Sequence, residues 1–189
     1  MTTTKVEVTG LREALAVFDE LADEIGDKKA TSKVLVPAAR EAMRPVLQSA
    51  RLLAPKDTGD LARTLQIEAR RPNRRDQRSK YASQTDTVIA LVTTKPFPKK
   101  KRKEFYESNQ DLYAADKAAY KRKFKEYAQS IGFPYDARAI AQEFGTANMK
   151  AGGHPFMRPA LETNAVSVVN KLGEIIGRRC EQFRAKNIT

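Results

Sequence analysis

The stretch TDTVIALVTT, residues 85–94, constrains the fold most, because it is β-branched, apolar, bounded by polar residues and reads as a strand. A strand needs neighbours for its backbone donors and acceptors. Two other segments qualify: KVEVT (5–9) alternates and stops at Gly10, and the chain becomes extended around Leu65–Ala69. Most of the rest has helical spacing. Leu11, Leu15, Phe18, Leu21, Ala22 and Ile25 form a stripe closed by Gly26. A second helix, capped by Thr31 or Ser32, would turn Leu35, Ala39, Ala42, Val46, Ala50 and Leu53 inward. Pro37 fits its first turn, Pro45 predicts a kink or break, and the helix ends before Pro55. Asp57 or Thr58 would cap a short helix with Asp60 in its first turn, leading into the strand at Leu65. Pro159 suits the first position of a last helix, with Leu161, Ala165, Val168, Leu172, Ile175 or Ile176, and Phe183 as its buried stripe. Gly173 and Gly177 each cost that helix roughly 1 kcal/mol relative to alanine, so packing must hold it. The order strand, helices, strands, helix predicts a single α+β domain, a small antiparallel sheet packed by helices with a long C-terminal helix.

Residues 95–135 differ in character. PFPKKKRK leads into a helical stretch at roughly 103–130, where Tyr113, Tyr120, Phe124, Tyr127 and Ile131 recur mostly three or four apart. Lys117, Lys121, Arg122, Lys123 and Lys125 fall on the other faces, and Gly132 and Pro134 end the stretch. This reads as a basic, largely helical insertion, with Lys99, Lys100, Lys101, Arg102 and Lys103 in an exposed loop. The net charge of +12 concentrates in the middle of the chain: residues 61–130 hold 18 Lys/Arg against 8 Asp/Glu, whereas residues 1–60 hold 9 against 10. Such asymmetry points to an anionic partner, nucleic acid or an acidic protein surface. Basic residues interleaved with rings permit phosphate contacts and base stacking. Helical spacing alone explains Tyr120, Phe124 and Tyr127 as protein packing.

Several function classes lose their material. Cys180 is the only cysteine and His154 the only histidine, which excludes a disulfide within these residues and zinc sites built from Cys and His, and fits a reducing cytoplasm. Apolar runs are too short to span a membrane, and MTTTKVEV lacks the apolar core of a secretory signal. Asp57-Thr58-Gly59 is the triplet of aspartic proteases, but Pro55-Lys56 precedes it and the helix-like LARTL follows, so a helix cap explains it better. No phosphate-loop pattern occurs, and Asp136 with Glu143 makes no metal constellation. The expectation is a non-enzyme without cofactor or metal.

Three blocks stand in order: APKDTGDL (54–61), EFGT (143–146) and HPFMRPALE (154–162), the last opening the terminal helix. Together they resemble the tail-component family of long-tailed, double-stranded DNA bacteriophages, typified by a small tail protein of an HK-type lambdoid phage. The resemblance covers about residues 5–94 and 136–185 and leaves the 95–135 insertion outside. It implies a structural virion protein of the neck, a tail-completion or head–tail joining subunit forming a ring of six copies at the head-proximal end of the tail tube. It further implies a head-completion (stopper) protein and a tail terminator or tail tube protein as partners, with assembly in the bacterial cytoplasm. The runner-up is a basic nucleic-acid-binding accessory protein. In the family pattern EFGT closes a strand, so Gly145 would turn the chain at a strand end, followed by Thr146. Asp57, Thr58 and Gly59 would fix a loop, and Phe156, after Pro155, would fill an apolar pocket while Pro159 starts the helix. Glu143, Phe144, Phe156 and Arg158 then belong to a loop region that is alternatively a docking surface, with Met149 and Lys150 at an interface. The insertion helix would lay its aromatic stripe on a neighbouring subunit, and the Lys run would contact acidic protein or genomic DNA.

Overall fold

The computed structural model describes residues 10–56, 59–74, 76–78, 86–133, 136–146 and 152–187. The expected strand at 5–9 and the caps at Asp57 and Thr58 lie outside them, as do Met149 and Lys150. The described chain is mostly helical, with one two-stranded antiparallel sheet and a long C-terminal helix, an α+β fold. It divides into two compact units. The first comprises the chain up to Ser49, Ile67–Thr93 and everything from Ala160 onward; the second comprises Ala50–Gln66 and Thr94–Pro159. The second unit thus takes in more than the basic insertion.

In the first unit, α1 (Leu11–Ile25) ends where expected, at Gly26 with φ 86°. The next helix starts earlier than Thr31: α2 (Asp27–Ala30) opens with Asp27 directly after Gly26 and widens into a π-turn at Thr31–Leu35. Thr31 is therefore no cap but an interior residue, buried, whose N–H bonds back to Asp27 and Lys28. α3 (Val36–Ala42) follows, and the chain breaks at Met43 before α4 (Arg44–Leu53). Pro45 causes this: placed second in a new helix, its missing N–H is one that needs no intrahelical partner. The buried positions are Val34, Ala38, Ala42, Met43, Val46 and Ala50. Leu35 packs half-buried against the core, Ala39 is half-buried, and Leu53 is exposed.

The core of this unit joins Ala14, Phe18, Leu21 and Ala22 of α1 to Ala30, Val34, Ala38 and Ala42, and to Ile175, Ile176 and Cys180 of α10 (Met157–Asn187). Val168, Leu172 and Phe183 pack against it as expected, but Ala160 is buried where Leu161 was expected, and Leu161 and Ala165 are exposed. Glu41 holds the same helices together at their rim, accepting from Arg178 and from Arg179, the latter at 2.6 Å. Burial raises the pKa of the Cys180 thiol, which suits a core residue rather than a nucleophile.

The sheet pairs β1 (Leu65–Arg70) with β2 (Ile89–Thr94). α5 (Asp60–Thr64) delivers the chain into β1, and the Lys95 N–H donates to the Thr64 carbonyl at 2.7 Å, extending the ladder by one residue. Because strand carbonyls alternate in direction, those of Leu65 and Ala69 face away from β2. Arg51 donates to the first at 2.8 Å and Arg40 to the second at 3.4 Å, so helix side chains occupy the open edge. The Arg-rich turn after β1 is tied to itself: Arg70 bonds Glu68 and Asp76, and Asn73 and Asp76 exchange bonds between side chain and backbone.

Gly173 has a packing reason that its propensity conceals. A Cβ there would stand 3.0 Å from Leu11 Cα and 3.1 Å from its nitrogen, whereas one at Gly177 would meet nothing within 4 Å. Gly177→Ala is therefore expected to gain about 0.5–1 kcal/mol in urea unfolding, and Gly173→Ala to forfeit that gain and fall below the parent. Equal gains at both positions would refute the close approach of α1 to α10.

Candidate functional site

Two places gather the residues singled out in the sequence, and both lie in the second unit. The first is the junction between α9 (Asp136–Phe144) and the start of α10. EFGT was expected to close a strand; it closes a helix. The AIAQEF run has helical rather than alternating spacing, and Gly145 at φ 77° is the left-handed residue that ends a helix, its N–H bonding the Ala141 carbonyl at 2.8 Å. Thr146, beyond it, is exposed.

Glu143 is the centre of this junction. It is only 6% exposed, and its carboxylate accepts from the backbone N–H groups of Phe156 (2.8 Å), Met157 (2.9 Å) and Arg158 (3.1 Å). A helix beginning at Met157 leaves four N–H positions without intrahelical carbonyls, those of residues 156 to 159. The fourth is Pro159, which has no N–H. It is third in the helix rather than first, and there it removes the one orphan donor that Glu143 does not reach. The cap is complete, and it adds a negative charge at the positive end of the helix dipole. Burial raises the Glu143 pKa, and the three N–H donors with the Arg158 charge outweigh that effect, so the net shift is downward.

The backbone is pinched at the same point. A Cβ on Gly145 would lie 2.7 Å from the Gly153 nitrogen, and one on Gly153 would stand 2.9 Å from the Gln142 carbonyl oxygen. The His154 N–H donates to that same carbonyl at 2.6 Å. Phe156 is fully buried, as a pocket-filling residue should be, while Pro155 is exposed. Phe144 is 70% exposed with the Arg158 guanidinium 5.7 Å from its ring centre, and Ile140, one turn earlier, is 60% exposed. In the first block, Gly59 takes φ 73° immediately before α5, with Asp60 in the first turn. The structure therefore brings two of the three blocks together as one joint.

The second place is the basic insertion. Its lysine run is not a loop. Lys99 through Lys103 open α6 (Lys99–Glu107), with Pro98 before the first turn, and α7 (Gln110–Ala115) and α8 (Lys117–Ser130) follow. The single helix expected at 103–130 is cut twice by polar side chains bonding local backbone. Ser108 and Asn109 donate to the Glu104 and Phe105 carbonyls at 2.9 and 2.8 Å, and Asp116 caps α8 by accepting from Ala118 and Ala119 at 2.8 and 3.0 Å. Gly132 at φ 73° then closes α8, with the Phe133 N–H returning to the Ala128 carbonyl at 2.8 Å.

The aromatic stripe is occupied from within. Phe105 is buried against Tyr120, Phe124 and Tyr127 at ring separations of 5.5, 5.3 and 4.9 Å, and Phe97 adds Phe124 at 4.9 Å and Phe133 at 5.4 Å. Tyr106 and Tyr113 extend the cluster toward solvent. The insertion's own helices supply ring partners for Tyr120, Phe124 and Tyr127, which are half-buried, as helical spacing alone implied. Phe97 and Phe105, which complete the cluster, were not singled out in the sequence, although Phe105 lies two residues beyond the Lys run. Outward, the cations remain. Lys100 and Lys103 stand 4.0 and 3.6 Å from Glu104 and Glu107, and Arg102 lies 5.7 Å from the Phe124 ring centre.

Among the described residues, no group of His, Cys, Asp and Glu is arranged to hold a metal, and no helix is long and apolar enough to cross a membrane. Comparisons with protein-family models, with curated proteins and with solved structures return no match to this chain.

The sign of the Glu143 shift fixes a pH dependence. Its folded-state pKa lies below the ordinary value of about 4.3, so its contribution is full above that value and is lost as pH falls through the lower, folded one. Glu143→Gln is expected to cost about 1–3 kcal/mol at pH 7 in denaturant unfolding, and the gap to the parent should close as pH drops below about 4. A gap independent of pH would refute the charged cap.

Proposed function

We propose that this chain is a structural subunit of the neck of a long-tailed double-stranded DNA phage, a tail-completion or head–tail joining protein that assembles as a ring of six copies at the head-proximal end of the tail tube. The observation that carries this reading is the Glu143 joint. EFGT and HPFMRPALE, two of the blocks behind the family resemblance, make one architectural device in which Glu143, Gly145, Phe156 and Pro159 have mechanical tasks. That is what a non-enzymatic virion subunit asks of such residues. Beside the joint, Ile140, Phe144 and Arg158 offer an exposed apolar and cationic surface of the composition that anchors protein interfaces. In this reading its partners are further copies of the chain, a head-completion (stopper) protein and a tail terminator or tube protein, met in the bacterial cytoplasm and retained in the virion. A second reading, a basic nucleic-acid-binding accessory protein, is favoured by the exposed cations of α6 and α8.

Electron microscopy of lysates from a phage with a nonsense mutation in this gene tests the choice. DNA-filled heads beside separate tails are expected. Joined, intact particles would overturn the neck role and favour the accessory protein.

A further inference from the structure

α8 carries a row of like charges that its own helix does nothing to relieve. Lys117, Lys121 and Lys125 are spaced i, i+4, i+8 and are all exposed. The residues three and four away from each of them are Tyr, Ala, Lys, Phe, Arg and Gln, with no carboxylate among them. Like charges four apart destabilise a helix, and Glu126 lies off the row. On α6 the Lys run occupies the first turns, where the helix dipole disfavours cations; Lys100 and Lys103 lie 4.0 and 3.6 Å from Glu104 and Glu107, and Lys101 has Glu104 three residues on. Arg102, lying over Phe124, sets a further cation of α6 against α8. The cost of this arrangement falls if a polyanion covers it.

We infer that the Lys117–Lys121–Lys125 face of α8, with the basic first turns of α6, binds the phosphate backbone of double-stranded nucleic acid without reading its sequence. Three observations favour this occupant over an acidic protein or a single strand. The row repeats at about 6 Å along the helix, a regular array of point charges suited to a regularly charged rod. The row itself is lysine, with the Tyr113 ring 5.6 Å from Lys117 Nζ at one end, whereas protein interfaces deplete lysine and rely on aromatic and Arg anchors. Finally, single-strand binding stacks bases on rings, and here Phe105 is already engaged, edge-on with Phe124 and face to face with Tyr127. The inference is independent of the neck reading and is tested on purified protein.

The experiment is fluorescence anisotropy of the full chain with a mixed-sequence 25-base-pair duplex (roughly two helical turns) and a single strand of the same length, titrated between about 50 and 200 mM salt. The duplex is expected to bind more tightly. Lys117→Gln/Lys121→Gln/Lys125→Gln should weaken binding at least tenfold at low salt and reduce the log–log salt slope by roughly 2.7, about 0.9 per lost contact. Its thermal midpoint should not fall, because the substitutions relieve repulsion. Lys28→Gln/Lys29→Gln/Lys33→Gln removes the same charge from exposed positions in the other unit and should change affinity far less. Equal losses in the two variants would reduce the effect to net charge and overturn the site. An unchanged slope, tighter binding to the single strand, or self-association that disappears with the α8 variant in place of duplex binding would overturn it as well.

Discussion

A single carboxylate decides how the longest helix of this protein begins. α10 runs for 31 residues, and any helix must place its first four N–H groups somewhere. Glu143 takes three and Pro159 abolishes the fourth. A carboxylate 6% exposed is costly to bury unless its lone pairs are used, so the cap and the burial require each other. The charge is stable in the interior because the helix end is there, and the helix end is stable because the charge is. Gly145 and Gly153 make this possible at close range. With a side chain on either, the backbone leaving α9 could not approach the backbone entering α10.

The cap holds the backbone of residues 156–158, and Phe156 is fully buried. Within the first unit, counting by fours along α10 gives Ala160, Asn164, Val168, Leu172, Ile176 and Cys180, and every one of these is buried or half-buried. The row is not uniformly apolar. Asn164 belongs to it because its amide donates to Ser49 Oγ at 2.9 Å and to the Ala160 carbonyl at 2.8 Å. A small residue and a polar one therefore hold the inward positions that Leu161 and Ala165 seemed to claim.

That misphasing marks the boundary of what the chain discloses in one dimension. Elements whose limits are set locally were legible: α1 up to Gly26, the passage from α5 into β1 at Leu65, the strand ending at Thr94, and the closure of α8 at Gly132. Those set by a residue far along the chain were not. Nothing beside Phe156 announces that Glu143 caps its helix, and nothing near Gly173 announces Leu11. Other misses had a local signal that was outweighed. Ser108, Asn109 and Asp116 are helix-ending or helix-starting residues, yet the regular spacing of the rings ran through them and suggested one helix. The charge of the lysine run suggests an exposed loop, yet lysine is a good helix former and Phe105 supplies an inward anchor.

The Glu143 joint and the basic insertion thus separate by the kind of force they use. At the joint the charge is internal, matched by backbone dipoles and little screened by added salt. On α6 and α8 the charge is external and only partly matched, by Glu104, Glu107 and the rings beside Arg102 and Lys117, while much of the apolar side is engaged in ring-to-ring contacts. Rings packed among themselves make the three insertion helices a self-supporting platform, so the lysines can vary without unfolding it. The joint cannot vary in that way, since Glu143, Gly145, Gly153 and Pro159 each depend on the others. Two of the blocks behind the proposed neck role thus meet in an architectural joint, while the segment outside them carries its charge on the surface.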